Sequence, residues 1–266
     1  MSSTNTTEKL IARKENGIGW IIFNNPLKRN ALSREMHGVM ATALEDYARD
    51  SGVRVVILKG EGGKAFVSGG DISQFGNNRS TLEQVRQGDA VTERTQIALR
   101  ECRKPTIAMI QGYCMGGGLN VAVSCDLRIA SEDSRFGVPA ARLGVGYRYA
   151  SLRRITDIVG PAFAAEIFFT GRQFTAHEAL QMGLVNRVLP VAELEPFVMN
   201  YARMMIDNAP LTLSSVKQCL GELRKDPGER DLDLCEKVVE ACFESRDYVE
   251  GRTAFMEKRK PVFEGR

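Results

Sequence analysis

The apolar positions in the first half of the chain fall into short runs rich in β-branched residues, with amphipathic stretches between them. Such runs predict buried strands. They are "GWIIFN" around Trp20, Val53–Gly60, Thr106–Gly112 and Asp126–Ser131. Because helical patterns alternate with these runs, the sequence predicts an α/β fold.

Two stretches between the predicted strands have helical spacing. Within Ser33–Asp50, apolar residues such as Met36 and Met40 recur on one face, and the serine at the start can cap the helix. A second helix is predicted over Ala90–Cys102, ahead of the third strand. The strands and helices together favour a layered α/β core.

After about Arg148 the pattern becomes mostly helical, with Val185–Pro190 as the one short extended exception. Prolines separate the successive helical candidates. These candidates cover residues 151–160, 161–169, 175–183, 191–208, 211–225 and 233–245. The sequence therefore predicts a core over residues 1–200 and a C-terminal helical region over residues 201–266.

Composition narrows the function classes. A net charge of +3, from 36 Lys and Arg against 33 Asp and Glu, is too small to indicate nucleic acid or a membrane as partner. Six cysteines without a CxxC pair, and only two histidines, argue against a zinc site. The N-terminus lacks a secretory apolar segment, and no apolar run approaches the roughly 20 residues that cross a bilayer. A cytoplasmic, soluble protein with reduced cysteines is expected.

Two glycine-rich segments follow predicted strands and are built alike. They are "KAFVSGGDISQF", Lys64–Phe75, and "GYCMGGGLNVAVSCD", Gly112–Asp126. Backbone N–H groups at a strand-to-helix turn lack intrahelical acceptors, so they can stabilise an anion or a developing oxyanion. For either segment alone, a tight turn or close helix packing is the favoured explanation of the glycines. Neither completes a Walker A loop or a dinucleotide fingerprint, although a nucleotide phosphate stays an alternative, which predicts binding of ATP or NAD.

Together with their neighbours, these segments resemble the enoyl-CoA hydratase/isomerase (crotonase) superfamily. The matching motifs run in the family's order from about Trp20 onward: "NNPLKRNALS", "KAFVSGGDI", "GYCMGGGLNVAVSCDLRIAS", "FGVPAARLGV", "FTGRQFTAHEALQMGLVNRV" and "FMEKRKPVF". The resemblance implies a crotonase-like ββα spiral core and a C-terminal helical region that assembles trimers or hexamers. It also implies an acyl-CoA substrate and no cofactor beyond the CoA moiety.

The resemblance implies particular site residues. Family members polarise the thioester carbonyl between two backbone N–H groups, which here belong to Gly70 and Gly117. The residues implied to contact the pantetheine are Ala65, Ser68, Asp71 and Ile72. Lys28 and Arg29 are candidates for the CoA phosphates, with an ordinary solvated surface as the alternative.

Two positions depart from the hydratase pattern. Family hydratases use two glutamates to handle the added water; here the first position is Asn120, and the second, directly after Pro139, is Ala140. Neither side chain can exchange a proton, and a positioned acid or base contributes typically 10²–10⁴-fold to the rate. The sequence therefore predicts that ordinary hydration is lost.

One subgroup, methylmalonyl-CoA decarboxylase, is similar in "RLGVGY" and in the C-terminal motifs. The resemblance implies that Tyr147 lies near the acyl head, and Ala140 and Arg142 are expected in the acyl pocket. Asn120, Arg142 or Tyr147 would orient or desolvate a carboxylate. The subgroup's histidine at the Gly70 position and its glutamate at the Asn120 position are absent.

Decarboxylase-like or other non-hydratase chemistry is therefore favoured, so the chain is expected to be an acyl-CoA lyase. A catalytically silent CoA-thioester-binding paralogue is the alternative. Neither histidine is assigned to catalysis: His37 is expected at a surface or interface, and His177 is expected to be structural.

Overall fold

The computed structural model describes residues 7–71 and 81–266. The strands are β1 Leu10–Glu15, β2 Ile18–Phe23, β3 Val55–Gly60, β4 Ala65–Val67, β5 Thr106–Ile110, β6 Tyr113–Met115, β7 Leu127–Ser131, β8 Arg135–Gly137, β9 Phe174–Thr175 and β10 Arg187–Leu189. The helices are α1 Arg34–Arg49, α2 Leu82–Glu101, α3 Gly117–Ser124, α4 Tyr149–Thr170, α5 Ala176–Gln181, α6 Val191–Asp207, α7 Pro210–Leu223, α8 Leu232–Phe243 and α9 Arg246–Glu257. A short 3₁₀ helix spans Pro139–Leu143.

The described strands form two sheets. The larger has the order β1-β2-β3-β5-β7-β10, and the smaller has the order β4-β6-β8-β9. In the larger sheet only β1 pairs antiparallel with its neighbour; the other pairs are parallel. Helices connect the parallel strands, as the right-handed crossover of an α/β fold requires. The predicted α/β class is confirmed.

The central strands of the larger sheet, β2, β3 and β5, are buried on both faces, which explains their nearly continuous apolar sequences. Along β2, Trp20 faces a cluster that contains Leu194 and Val198 of α6. The alternate residues Ile21 and Phe23 face the opposite cluster, which contains the buried side of α1. The main core therefore lies between the two sheets and α1, and α6 covers the outer face.

The first predicted helix is confirmed as α1. Ser33 caps it, since its hydroxyl accepts the N–H of Met36 at 3.2 Å. Helix α2 begins well before the predicted Ala90, because Thr81 caps it by accepting the N–H of Gln84 at 3.2 Å. The first turns of α2 are largely polar, so their sequence carries no apolar period.

The C-terminal part is mostly helical, as predicted. The expected extended segment Val185–Pro190 does contain a strand, β10. The expectation that it is the single exception is wrong, because Phe174–Thr175 forms a second strand, β9, which pairs antiparallel with β8. A two-residue strand is too short to show periodicity. Gly160, with φ of 76°, breaks α4 just before Pro161. This matches the separate predicted segments 151–160 and 161–169.

The predicted division between residues 200 and 201 falls inside α6. Leu194, Val198 and Ala202 on this helix are all buried, so its packing against the sheet continues past that point. The division into a substrate-binding core and an assembly region stays a prediction.

All six cysteines are free thiols, and the three of the first half, Cys102, Cys114 and Cys125, are buried in the core as expected. Cys219, Cys235 and Cys242 are only partly buried, so the expectation of a core position holds for half of the cysteines. Burial raises the pKa of Cys125 to about 12, so its thiol stays protonated. Among the described residues, no helix has both the length and the apolar character needed to cross a bilayer.

Candidate active site

Both glycine-rich segments lie at the carboxyl ends of neighbouring parallel strands. Strand β4 pairs in parallel with β6, with Ala65 opposite Tyr113. The backbone segments that follow, Ser68–Asp71 and Gly116–Gly117, therefore leave the small sheet side by side. In open α/β folds the carboxyl ends of the strands are the usual place for a ligand.

Gly116 turns the chain from strand β6 into helix α3. Its φ of 50° and ψ of −111° lie in a region that side chains disfavour. The turn is held because Gly116 donates its N–H to the Gly137 carbonyl at 2.8 Å and accepts the N–H of Asn120 at 3.1 Å. Helix α3 consequently begins at Gly117, whose N–H points out of the helix end.

Gly70 is held in register by Leu32. The N–H of Leu32 bonds the Gly69 carbonyl at 2.8 Å, and the Leu32 carbonyl accepts the N–H of Asp71, also at 2.8 Å. Because these two bonds flank Gly70, its own N–H points to the opposite side of the segment. Gly117 lies close by: a Cβ atom built on it would be 3.6 Å from the Gly70 nitrogen.

The N–H groups of Gly70 and Gly117 are thus neighbours, and neither has a hydrogen-bond acceptor among residues 7–71 and 81–266. The Gly117 N–H also carries the partial positive charge of a helix N-terminus. Two adjacent, unpartnered backbone donors can stabilise negative charge on an oxygen without any side-chain movement.

These donors open into a cleft of about 570 Å³. Elements from distant parts of the chain build its walls: α2, α3, the 3₁₀ helix and the start of α4. The predicted site residues that line it are Ser68, Gly70, Asp71, Gly117, Asn120, Ala140 and Tyr147. The structure therefore brings most of the predicted residues together.

Other predicted residues lie outside the cleft lining. Lys28 forms an ion pair with Asp71, Nζ to Oδ2 3.0 Å, and so lies at the rim. The Arg29 guanidinium stacks over the Tyr113 ring at 5.1 Å. Ala65 is buried within β4. Ile72 lies outside the described residues.

Arg142 is not brought into the cleft either. It occupies the 3₁₀ helix Pro139–Leu143, which places its side chain against the end of α4. There a Cβ on Gly171 would be 3.4 Å from Arg142 Cγ. Among the described residues, the arginine nearest to Asn120 in the hydrogen-bond network is Arg154 instead.

Asn120 is buried on α3 and bonded across to α4. Its Nδ2 donates to Ser151 Oγ at 2.9 Å, while its Oδ1 is buried with no donor among the described residues. Arg154 also donates to Ser151 Oγ, at 3.0 Å, and to Gln96 Oε1. The sequence analysis missed Gln96, Ser151 and Arg154; their only signal is a polar position on a helix face that is otherwise apolar.

Tyr147 presents a buried hydroxyl with no hydrogen-bond partner in the described part of the chain. Its ring packs edge-on against Phe168, with centroids 4.7 Å apart. Burial raises the pKa of Tyr147 well above its ordinary value of 10, although the nearby Arg154 opposes this shift. The phenol therefore stays protonated and can donate.

Helix α2 brings further charged groups that the sequence analysis missed. Asp89 and Glu93 line the cleft, and Asp89 Oδ2 accepts a hydrogen bond from Arg148 Nε at 2.7 Å. The expectation that His37 lies at a surface or interface is wrong. It is 8% exposed and lines the cleft, with Nδ1 3.3 Å from Thr95 Oγ1, because α2 packs across α1 at this point.

Fold and site together define an α/β protein with a cleft built around two backbone amides that can stabilise an oxygen anion. The profile of the family described as "Enoyl-CoA hydratase/isomerase" matches residues 13–266. The chain belongs to this family.

Relatives of nearly equal length support the assignment. The short-chain-enoyl-CoA hydratase of Clostridium acetobutylicum is 34% identical over 254 residues, covering 94% of this chain and 95% of that protein. The peroxisomal Delta(3,5)-Delta(2,4)-dienoyl-CoA isomerase of Arabidopsis thaliana is 34% identical over 274 residues, covering 99% of this chain and 98% of that protein. The crystal structure of an enoyl-CoA hydratase/carnithine racemase from Magnetospirillum magneticum superposes with a TM-score of 0.92 at 35% identity, covering 98% of this chain and 97% of that one. The predicted crotonase fold is confirmed.

Proposed function

We propose that this protein is an enzyme that binds an acyl-CoA thioester and holds its carbonyl oxygen between the N–H groups of Gly70 and Gly117. The observation that carries the proposal is the adjacency of these two unpartnered donors. An enolate oxygen bound there gains two charge-assisted hydrogen bonds from groups that are already in place. The family membership of the chain and the names of its relatives agree with a CoA thioester substrate.

The CoA moiety is proposed to enter along the loop that follows β4. Ser68 and Asp71 line the cleft beside the amides, as the pantetheine contacts require. Lys28 and Arg29 lie on the adjoining segment, whose carbonyls accept hydrogen bonds from Ser68. Their positive charge is suited to the CoA phosphates, and no further cofactor is proposed.

The reaction is proposed to be decarboxylation, or another reaction through an enolate, rather than hydration. Asn120 and Ala140 both line the cleft, and neither can transfer a proton. In decarboxylation the bond between the α-carbon and the carboxylate breaks, CO₂ leaves, and the electron pair forms the enolate. A proton from water then adds to the α-carbon. Such a lyase needs an oxyanion site and a group that orients the carboxylate, but no pair of glutamates.

The second candidate is a catalytically silent paralogue that only binds CoA thioesters. The observation that favours it is the loss of both hydratase carboxylates at Asn120 and Ala140. Turnover, rather than binding, separates the two candidates.

Self-association as a homotrimer or a dimer of trimers is proposed for the C-terminal helices, and the location is proposed to be cytoplasmic. Helices α7 to α9 and the tail carry large apolar side chains that are at least half exposed in the single chain. These are Val216, Leu220, Leu223, Leu232, Phe243, Val249, Phe255, Met256 and Val262. Exposed apolar surface of this extent is typical of an interface. Sedimentation equilibrium is expected to give a mass of three or six chains, and a monomer would contradict the proposal.

The test of function is incubation of the purified protein with methylmalonyl-CoA, ethylmalonyl-CoA and crotonyl-CoA, followed by mass spectrometry of the thioesters. Decarboxylation of a malonyl-type ester without hydration of crotonyl-CoA is the expected result. Efficient hydration of crotonyl-CoA would contradict the proposed reaction. Micromolar binding without turnover would favour the silent paralogue, and absence of binding would overturn the CoA assignment.

A further inference from the structure

A cluster of polar side chains lies at the inner wall of the cleft, and we call it the acyl-end network: Gln96, Asn120, Tyr147, Ser151 and Arg154. Hydrogen bonds join all of them except Tyr147, whose hydroxyl lies near Arg154. Its members come from α2, α3, the segment before α4, and α4 itself. All except Arg154 line the cleft, and Arg154 lies directly behind Ser151 and Gln96. Asn120 is also one helical turn from Gly117, which places the network beside the proposed carbonyl site.

The Ser151 hydroxyl has its acceptor capacity filled from inside the protein. It accepts Asn120 Nδ2 at 2.9 Å and an Arg154 nitrogen at 3.0 Å. A hydroxyl oxygen has two lone pairs and one proton, so the proton of Ser151 remains to be donated to a third group. None of the described residues is hydrogen-bonded to that proton.

Gln96 and Tyr147 offer further donors. Gln96 uses Oε1 to accept from Arg154, which leaves Nε2 buried and without an acceptor among the described residues. The Tyr147 hydroxyl is buried and unpartnered in the same way. Buried donors without acceptors are rare in native structures because each is costly. An unbonded donor that lines a cleft therefore indicates a ligand acceptor.

The side-chain oxygen of Asn120 does not provide enough acceptors for these unbonded donors. As placed, Asn120 Oδ1 is a buried acceptor without a donor among the described residues, and the Tyr147 hydroxyl oxygen is another. Turning the amide by 180° would let Ser151 donate to Oδ1 and would place Nδ2 at the buried position that Oδ1 now occupies. Donors exceed acceptors in both orientations.

The charge behind the donors is positive and has no carboxylate bonded to it. Arg154 donates hydrogen bonds to two neutral groups, the Ser151 hydroxyl and the Gln96 side-chain carbonyl. Its Nε is buried and has no acceptor among the described residues. Burial lowers the pKa of Arg154, and the charge of Glu93 opposes this without forming a salt bridge among the described residues. Arg154 is partly buried and lies behind Ser151 and Gln96, so its charge makes this side of the cleft favourable for an anion.

We propose that the acyl-end network recognises a carboxylate on the acyl group, so that the substrates are CoA thioesters of dicarboxylic acids. This inference rests on the proposed CoA-thioester function and specifies its substrate class. A carboxylate would accept from Ser151, Gln96 and Tyr147 together, with Arg154 as the positioning charge behind them. A hydrocarbon chain would leave all of these donors unpaired. The carboxylate is either on the α-carbon, as in malonyl-type esters, or at the far end of the chain.

The test compares matched pairs of thioesters by dissociation constant, or by KM where the ester turns over. Methylmalonyl-CoA is compared with isobutyryl-CoA, in which a methyl group replaces the carboxylate; succinyl-CoA is compared with butyryl-CoA. In at least one pair the wild-type protein is expected to prefer the carboxylated ester about ten-fold or more. A preference in the first pair places the carboxylate on the α-carbon, and a preference in the second pair places it at the far end of the acyl chain.

The variants separate recognition from folding. Arg154→Gln is expected to reduce the preference to about one, and Arg154→Lys to retain part of it, because the charge persists. The matched control is Arg153→Gln, since Arg153 lies on the outer side of α4, bonded to the Arg224 carbonyl and Asp226. It is expected to leave the preference unchanged.

Three other outcomes would overturn the inference, and the binding data distinguish them. Binding of all four esters without preference in the wild type would overturn the carboxylate assignment alone, even if Arg154→Gln failed to fold. A preference that survives in folded Arg154→Gln would exclude Arg154 as its source and overturn the network. Binding of none of the four esters would overturn the proposed function and the inference together.

Discussion

Gly70 and Gly117 come from separate strand-to-helix turns, yet a Cβ atom on Gly117 would lie 3.6 Å from the Gly70 nitrogen. The parallel pairing of β4 with β6 brings them together, and Leu32 and Gly116 hold the two turns in place. A side chain on Gly117 would begin at contact distance from the Gly70 nitrogen, so glycine at position 117 keeps the space between the two amides open. The proposed function depends on this space.

Gly117→Pro tests the donor directly. Proline lacks an N–H, but its φ suits the first position of a helix, so α3 is expected to form. We expect kcat/KM for the thioester that turns over to fall about 10²–10³-fold. Val191→Pro is the matched control, because it places proline at the first position of α6, outside the cleft lining. Full activity in Gly117→Pro would rule out the assignment of the Gly117 N–H.

Restoring both carboxylates, as Asn120→Glu with Ala140→Glu, is expected to introduce hydration of crotonyl-CoA. Both positions line the cleft, and a positioned acid or base contributes about 10²–10⁴-fold. The measurement is the loss of enoyl absorbance. The control is Asn120→Gln with Ala140→Gln, which adds similar volume without a proton to transfer. If the glutamate pair gained nothing over the glutamine pair, the cleft would differ from a hydratase beyond these two positions.

Tyr147→Phe separates a ligand contact from a structural role. The hydroxyl has no partner among the described residues and the ring keeps its contact with Phe168, so the free energy of unfolding is expected to change by no more than about 0.5 kcal/mol. Activity on the thioester is expected to fall about ten-fold, through the loss of one hydrogen bond to the ligand. Tyr149→Phe, two residues away and 74% exposed, is the control. A large loss of stability in Tyr147→Phe would show that the hydroxyl is structural.

Two Gly→Ala substitutions inside helices are expected to have opposite effects. At Gly118 a Cβ would overlap the Val67 carbonyl oxygen, so Gly118→Ala is expected to destabilise the protein by about 1–3 kcal/mol. At Gly38 on α1 nothing lies within 4 Å of the added Cβ, and alanine is expected to stabilise by about 0.5–1 kcal/mol. Urea unfolding of the two variants gives the comparison. Equal effects would contradict the close approach of α3 to β4.

The C-terminal tail is expected to loosen in acid. Arg259, together with the N–H of Val262, lowers the pKa of Glu250 to about 2 from its ordinary value of 4.5. A depressed carboxylate pKa contributes stability that is complete above the unfolded value and is lost as pH falls through the folded value. Wild-type stability is therefore expected to fall between about pH 4.5 and 2 more steeply than that of Glu250→Gln.

Urea unfolding at several pH values measures this difference. Glu240→Gln removes an exposed glutamate that has no ion pair among the described residues, and it is expected to keep the wild-type slope. Identical slopes for Glu250→Gln and the wild type would show that the contact with Arg259 does not contribute to acid sensitivity.

Much of the fold could be predicted from sequence because its elements carry strong local signals. The central strands are buried on both faces, so each is a continuous apolar run, and α1 shows one buried stripe behind a serine cap. The short strands β4, β6, β8 and β9 carry no period, since two or three residues cannot show one. The glycine triplet located the site for a related reason: only an unusual backbone needs three consecutive glycines.

The sequence by itself determined the family and the absence of glutamate at positions 120 and 140, and it predicted the two amide donors. Tertiary structure alone decided which further side chains meet at the inner wall of the cleft. It turned Arg142 toward Gly171, covered His37 with α2, and assembled Gln96, Ser151 and Arg154 from two helices. Helical periodicity defines the faces of each helix but not the neighbour that each face will meet. A network that spans three helices is therefore set only when the helices pack.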